Sequence, residues 1–107
     1  MKFYSQLTYS ASTAVKVGKW TGGEDLYRKV YTSTGIGARS FDITETLANI
    51  VKLEAILQYN QYCSEPYYGD NTDYWNYYVK SDKKVYLRCA GAPAVNASTL
   101  TLVVYSI

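Results

Sequence analysis

The sequence contains no histidine among its 107 residues. That absence excludes the Ser/His/Asp and Cys/His nucleophile arrangements, the HExxH zinc helix and every other metal site that relies on imidazole. Cysteine is nearly as scarce. Cys63 and Cys89 allow one disulfide at most, and they fall short of the roughly four ligands a structural zinc requires. They read more simply as two half-buried thiols. No stretch approaches the ~18 consecutive apolar residues of a membrane-spanning helix, and residues 1–10 lack the basic start and apolar run of a secretory leader. An excess of one charge is missing too: Lys+Arg 11 against Asp+Glu 9 leave a net charge of +2. Duplex nucleic acid or an anionic membrane selects a far stronger basic field. The expectation is a protein with no signal peptide, no membrane insertion, no nucleic-acid partner, no metal and no cofactor.

A chain of this length suits one core, because two separate cores would each be starved of apolar surface, so residues 1–107 are read as a single domain. Hydrophobic residues make up 48%, but Tyr supplies thirteen of them, against two Phe, two Trp and one Met. The aromatic surplus is therefore amphipathic, with apolar rings ending in a polar tip.

Segments dense in Val, Ile, Thr and Tyr recur between turn clusters, at spacings of about ten residues. Residues 1–9 alternate weakly in polarity. Residues 13–20 carry Val15 and Val17 on one face with Lys16 opposed, and Gly22-Gly23 breaks the chain after them. Residues 26–32 alternate, and Thr34-Gly35-Ile36-Gly37 is a second break. Over residues 42–59 two periods compete. Asp42 and Glu45 have capping-box spacing and Leu47, Ile50 and Val51 recur at helical intervals, yet Val51, Leu53, Ala55 and Leu57 alternate with Lys52, Glu54 and Gln58, with Ile56 the lone defector. The reading is a short helical turn followed by a strand from Ile50. Residues 60–72 show no periodicity and form the longest expected loop. Residues 73–80 and 84–90 form a hairpin around Ser81-Asp82-Lys83, with Val85, Leu87 and Cys89 facing inward; residues 99–106 close the sheet with Leu100, Leu102 and Val104 on the core face. The implied fold is all-β, an antiparallel, jelly-roll-like β-sandwich of roughly seven to eight strands.

Little in this pattern carries chemistry. Glu65, Asp70 and Asp73 cluster in or beside the long loop, but a glycosidase needs two carboxylates facing across a sugar, and such loops are more often merely solvated. Asp70, Asn71 and Asp73 lack the Gly and Glu that complete an EF-hand. Gly35-Ile36-Gly37 is too short and isolated for a phosphate cradle.

The unusual feature is residues 59–78, where Tyr59, Tyr62, Tyr67, Tyr68, Tyr74, Trp75, Tyr77 and Tyr78 stand among Asn, Asp, Ser and Gly. Rigid rings with few rotamers to freeze, mixed with adaptable hydrogen-bonding groups, are the composition of a binding surface. A ring can lie on the C–H face of a sugar while Asn and Asp hold its hydroxyls. Because a strand turns alternate residues inward, half of this set belongs to the core. Val79 favours Trp75, Tyr77 and Val79 as the buried set, leaving Tyr74, Asn76 and Tyr78 outside. The candidate ligand-binding residues are Tyr67, Tyr68, Asp70, Asn71, Tyr74 and Asn76, and no catalytic residue is assigned.

Tyr9-Ser10, Val17-Gly18-Lys19-Trp20, Gly23 and Leu26-Tyr27-Arg28-Lys29 form a string that resembles the opening of the distal tip domain of tail-fibre or receptor-binding proteins from phages and prophages of Gram-positive bacteria. Asn49-Ile50-Val51-Lys52-Leu53 and residues 100–105 are similar to that family's turn-to-strand passage and closing strand. The resemblance implies a β-sandwich at the end of a virion tail fibre, a homotrimer alongside other tail proteins, and a host cell-surface receptor as partner, which the Tyr-rich composition makes a glycan. Trp20, Tyr27 and Arg28 read as structural. The alternative is a structural virion component, a decoration or fibre-assembly piece, in which the Tyr patches are subunit interfaces.

Overall fold

Alternating strand-forming segments and turn residues build the elements of this chain, and the computed structural model describes residues 13–34, 40–59, 62–91, 93 and 97–107. Among these residues the strands are β1 (Val15–Lys19), β2 (Asp25–Thr34), β3 (Ser40–Asp42), β4 (Ile50–Tyr59), β5 (Tyr62–Ser64), β6 (Tyr67–Asp70), β7 (Asp73–Lys80), β8 (Lys84–Ala90) and β9 (Ala97–Ser106). They form a 5-stranded sheet ordered β1-β2-β9-β4-β5 and a 4-stranded sheet ordered β3-β8-β7-β6. Every pairing is antiparallel. The expected all-β sandwich is the fold observed.

Period-two patterning explains the core. On β9, Leu100, Leu102 and Val104 are buried, and they stand opposite Leu57, Ala55 and Leu53 of β4. The smaller sheet answers with Trp75 from β7 and Val85 and Leu87 from β8, all in the same cluster as the β9 side chains. Each such side chain contributes about 1.5–3 kcal/mol by leaving water. Tyr77, Val79 and Cys89 pack against this cluster from the positions alternation assigns them. Ile56, the defector in the β4 pattern, is exposed.

The competition over residues 42–59 resolves as expected: a 3-10 helix at Leu47–Asn49 leads directly into β4. The capping box does not form. Thr46 is the helix N-cap and makes no side-chain cap, while Glu45 instead accepts a 2.6 Å hydrogen bond from the Tyr31 hydroxyl.

The structure corrects three readings. Residues 60–72 are not one long loop, since they contain β5 and β6; strands of three and four residues are too short to show a period. The alternation over residues 13–20 fails because the β1–β2 register slips between Lys16 and Gly18, and a bulge there turns Val17 to solvent. The final strand does not close an edge but lies at the centre of the larger sheet, between β2 and β4. The expected strand at 1–9 and the Gly35-Ile36-Gly37 break lie outside the described residues. Cys63 and Cys89 are not joined in a disulfide.

Two short strands shape one side of the sandwich. β5 pairs with only Leu57, Gln58 and Tyr59 of β4, and β6 pairs with only Asp73, Tyr74 and Trp75 of β7. The Glu65-Pro66 link carries the chain from the larger sheet to the smaller. The rest of both edges, residues 50–56 of β4 and 76–80 of β7, has no strand beside it among the described residues.

Candidate functional site

Two turns set the register of the sheet that carries the candidate residues. In the β7–β8 turn the Lys83 N–H donates to the Lys80 carbonyl at 3.1 Å and Lys83 itself takes φ 61°, the pattern of a three-residue hairpin loop. Asp82 locks this turn, accepting from the Lys84 N–H at 3.0 Å and from the Tyr86 hydroxyl. The Tyr86 bond is the main reason the Asp82 carboxyl titrates below its ordinary range, and the same bond raises the Tyr86 phenol. The register that follows sets Tyr78 opposite Tyr86 and Asn76 opposite Arg88.

The β6–β7 turn is built by Asp70, whose Oδ1 accepts from both the Thr72 N–H and the Thr72 hydroxyl at 2.7 Å. These bonds, the hydroxyl first, hold the Asp70 carboxyl below the usual range. Gly91 supports the turn from beneath: its φ is +76°, and a Cβ there would run into the Thr72 carbonyl oxygen, so only glycine fits.

Directly opposed residues of an antiparallel ladder share a face. The outer face of the smaller sheet therefore carries Tyr68 with Tyr74, then Asn76 with Arg88, then Tyr78 with Tyr86. The Tyr68 and Tyr74 rings lie 5.9 Å apart at 38°, and the Tyr78 and Tyr86 rings stack at 5.2 Å and 15°. The Lys80 ammonium sits 4.9 Å from the centre of the Tyr86 ring. Tyr68 is 68% exposed and Tyr78 42%, although rings of this size usually bury most of their surface. Where β6 ends and β7 continues, a groove of about 740 Å³ opens, lined by Tyr68, Asn71, Tyr74, Asn76, Tyr78 and Arg88 among others. The chain matches no family model, no curated protein and no solved structure.

The six sequence-derived candidates converge only in part. Tyr68, Asn71, Tyr74 and Asn76 share the groove. Asn71 Oδ1 accepts from the Tyr68 hydroxyl at 2.6 Å, which tethers that ring to the turn. Asn76 Oδ1 accepts from the Tyr77 N–H at 2.8 Å. Tyr67 also lines the groove, but it stands opposite Trp75 and packs against the core, reaching the surface where its hydroxyl donates to Asp73 at 2.6 Å. Asp70 is committed to its turn. Glu65 lies in a separate groove beside β4. Among the described residues no three acidic or thiol side chains converge as metal ligands.

Sequence reasoning overlooked Arg88 and Tyr86, and it placed Tyr78 on the outer face without counting it among the ligand candidates. The hairpin reading contained them: once Val85 and Leu87 face inward around a three-residue turn, Tyr86 and Arg88 must face outward and meet Tyr78 and Asn76.

Proposed function

We propose that this chain is a non-enzymatic adhesion domain that binds a cell-surface glycan on the outer face of its smaller sheet. The observation that carries this reading is the alignment of two tyrosine pairs, Tyr68/Tyr74 and Tyr78/Tyr86, with the polar pair Asn76/Arg88 between them. Four residue steps along the strand take Tyr74 to Tyr78, a span of about 13 Å. Rings at both ends offer flat apolar platforms for sugar faces, and the carboxamide and guanidinium between them offer donors for hydroxyls. Such rings need no ordering on binding because β-strands hold them, so little conformational entropy is lost. The resemblance of the opening string to phage tail-fibre tip domains supplies the setting in this proposal: a virion tail tip whose partner is a receptor on a Gram-positive host.

The test is the paired variant Tyr68→Ala with Tyr74→Ala, assayed for attachment to Gram-positive cells and to an array of wall polysaccharides. Attachment falls by at least about tenfold while the melting temperature moves little, because Tyr68 is mostly exposed and Tyr74 half-exposed. Undiminished attachment refutes the reading. Loss of assembly with other tail proteins in place of cell attachment transfers the face to the structural alternative.

A further inference from the structure

The geometry points to a second copy of this chain as the partner of the open β4 edge, paired strand to strand about a two-fold axis at Leu53. An uncovered strand edge presents a row of N–H and C=O groups that templates another strand, and proteins blunt such edges when they must stay single. The two open edges here differ in that respect. On β7 the Tyr77 N–H is capped by the Asn76 side chain. On β4, among the described residues, no side chain bonds the backbone of residues 52–56 and no proline interrupts it, and its one irregularity, the register shift between Ile50 and Lys52, lies at the start of the open stretch. Beside this edge lies a groove of about 650 Å³ lined by Leu53, Ala55, Ile56, Pro66 and Tyr77 among others.

Charge selects both the occupant and the register. Lys52 and Glu54 are the charged residues of the open stretch; both are exposed on the outward face, and neither belongs to an ion pair among the described residues. Tyr105 stands beside Lys52, whose ammonium lies 5.5 Å from its ring centre. In an antiparallel pairing centred on Leu53, Lys52 of each copy faces Glu54 of the other, giving two attractive cross-strand pairs. Centring on Lys52 or on Glu54 sets like charges face to face. Centring between residues opposes an inward side chain to an outward one, which a regular ladder does not permit.

The same register disposes of exposed apolar surface. Ile56, 45% exposed, comes to the end of the regular stretch of the second copy, where its β4 register shifts between Ile50 and Lys52. Leu47, 50% exposed, comes level with position 59 of the second copy, whose β5 neighbour is Tyr62, itself 59% exposed. The 3-10 helix at Leu47–Asn49 takes the chain out of strand conformation where that β5 arrives. The interface is isologous and closed, a dimer in place of the three-fold assembly that the family resemblance implies.

The experiment follows the mass of the full chain by light scattering and sedimentation over a micromolar concentration series, for wild type, Lys52→Glu, Glu54→Lys and the double exchange. The wild type is a dimer. Each single reversal weakens association about tenfold or more by facing like charges twice, and the double exchange restores it. Amide exchange of residues 51–56 slows as wild-type concentration rises. A wild-type monomer or trimer, a double exchange no better than the singles, or exchange at residues 51–56 that ignores concentration overturns the inference.

Discussion

The indole of Trp75 is fully buried at the centre of the core, and its N–H donates to the Ser64 hydroxyl at 2.9 Å. Ser64 belongs to a strand of three residues at the sheet edge, where a Ser→Ala change would ordinarily be near neutral. Here it strands a buried donor that water cannot reach, and that costs about 1–3 kcal/mol. In a domain whose whole stability is on the order of 5–15 kcal/mol, the loss lowers the melting temperature by roughly 5–15 °C. The assay is urea unfolding followed by circular dichroism for Ser64→Ala, Trp75→Phe and the double variant. Trp75→Phe is costly through lost volume, but a phenyl ring has no donor, so Ser64→Ala should cost about 1–3 kcal/mol less in that background than in the wild type. The cycle then yields a coupling of about 1–3 kcal/mol. Equal costs of Ser64→Ala in the two backgrounds would refute the account of the buried donor.

Gly91→Ala forces a side chain into φ +76° and against the Thr72 carbonyl; it is expected to cost about 2–4 kcal/mol in urea unfolding. Because it displaces the turn that holds Asn71, it should also weaken glycan attachment. Acid stability supplies a further check. The carboxyls of Asp25, Asp70 and Asp82 titrate below the ordinary 3.8 in the folded protein, held there mainly by hydrogen bonds from Lys19, Thr72 and Tyr86 respectively. A depressed folded-state value means stability that is complete above about pH 4 and is lost as pH falls through the folded values. Melting temperature should therefore be level from neutrality down to about pH 5 and fall below pH 4. Asp70→Asn should flatten that acid slope, and a variant with the wild-type slope would contradict the assignment.

Much of the fold was legible because β-strands write their period into sequence. Leu100, Leu102 and Val104 marked the inner face of β9, and Trp75, Tyr77 and Val79 that of β7, since each lies in a run long enough for alternation to repeat. The switch at Ile50 from helical to strand period was legible for the same reason. What stayed hidden has local causes. β5 and β6 are shorter than the pattern that would reveal them, and the Val17 bulge breaks a two-residue period without any sign in composition. Asp70 resembled a ligand group because a turn-building Asp and a ligand-holding Asp share a sequence context; only the bonds to Thr72 separate them. Arg88 was missed because attention to local tyrosine density overlooked what lay across the ladder.

The central position of β9 has a further consequence for how the molecule is made. Its neighbours β2 and β4 do not pair with one another, and each waits for a strand synthesised well after it. A nascent chain halted before residue 97 would hold two half-finished ladders with apolar faces and bare edges, a species prone to aggregate. Folding of this domain is thus gated by the synthesis of β9, and the high proportion of distant pairings places it among slow-folding topologies. Ribosome-stalled chains should stay protease-sensitive until the closing ten-residue strand clears the exit tunnel, and then become resistant in a single step.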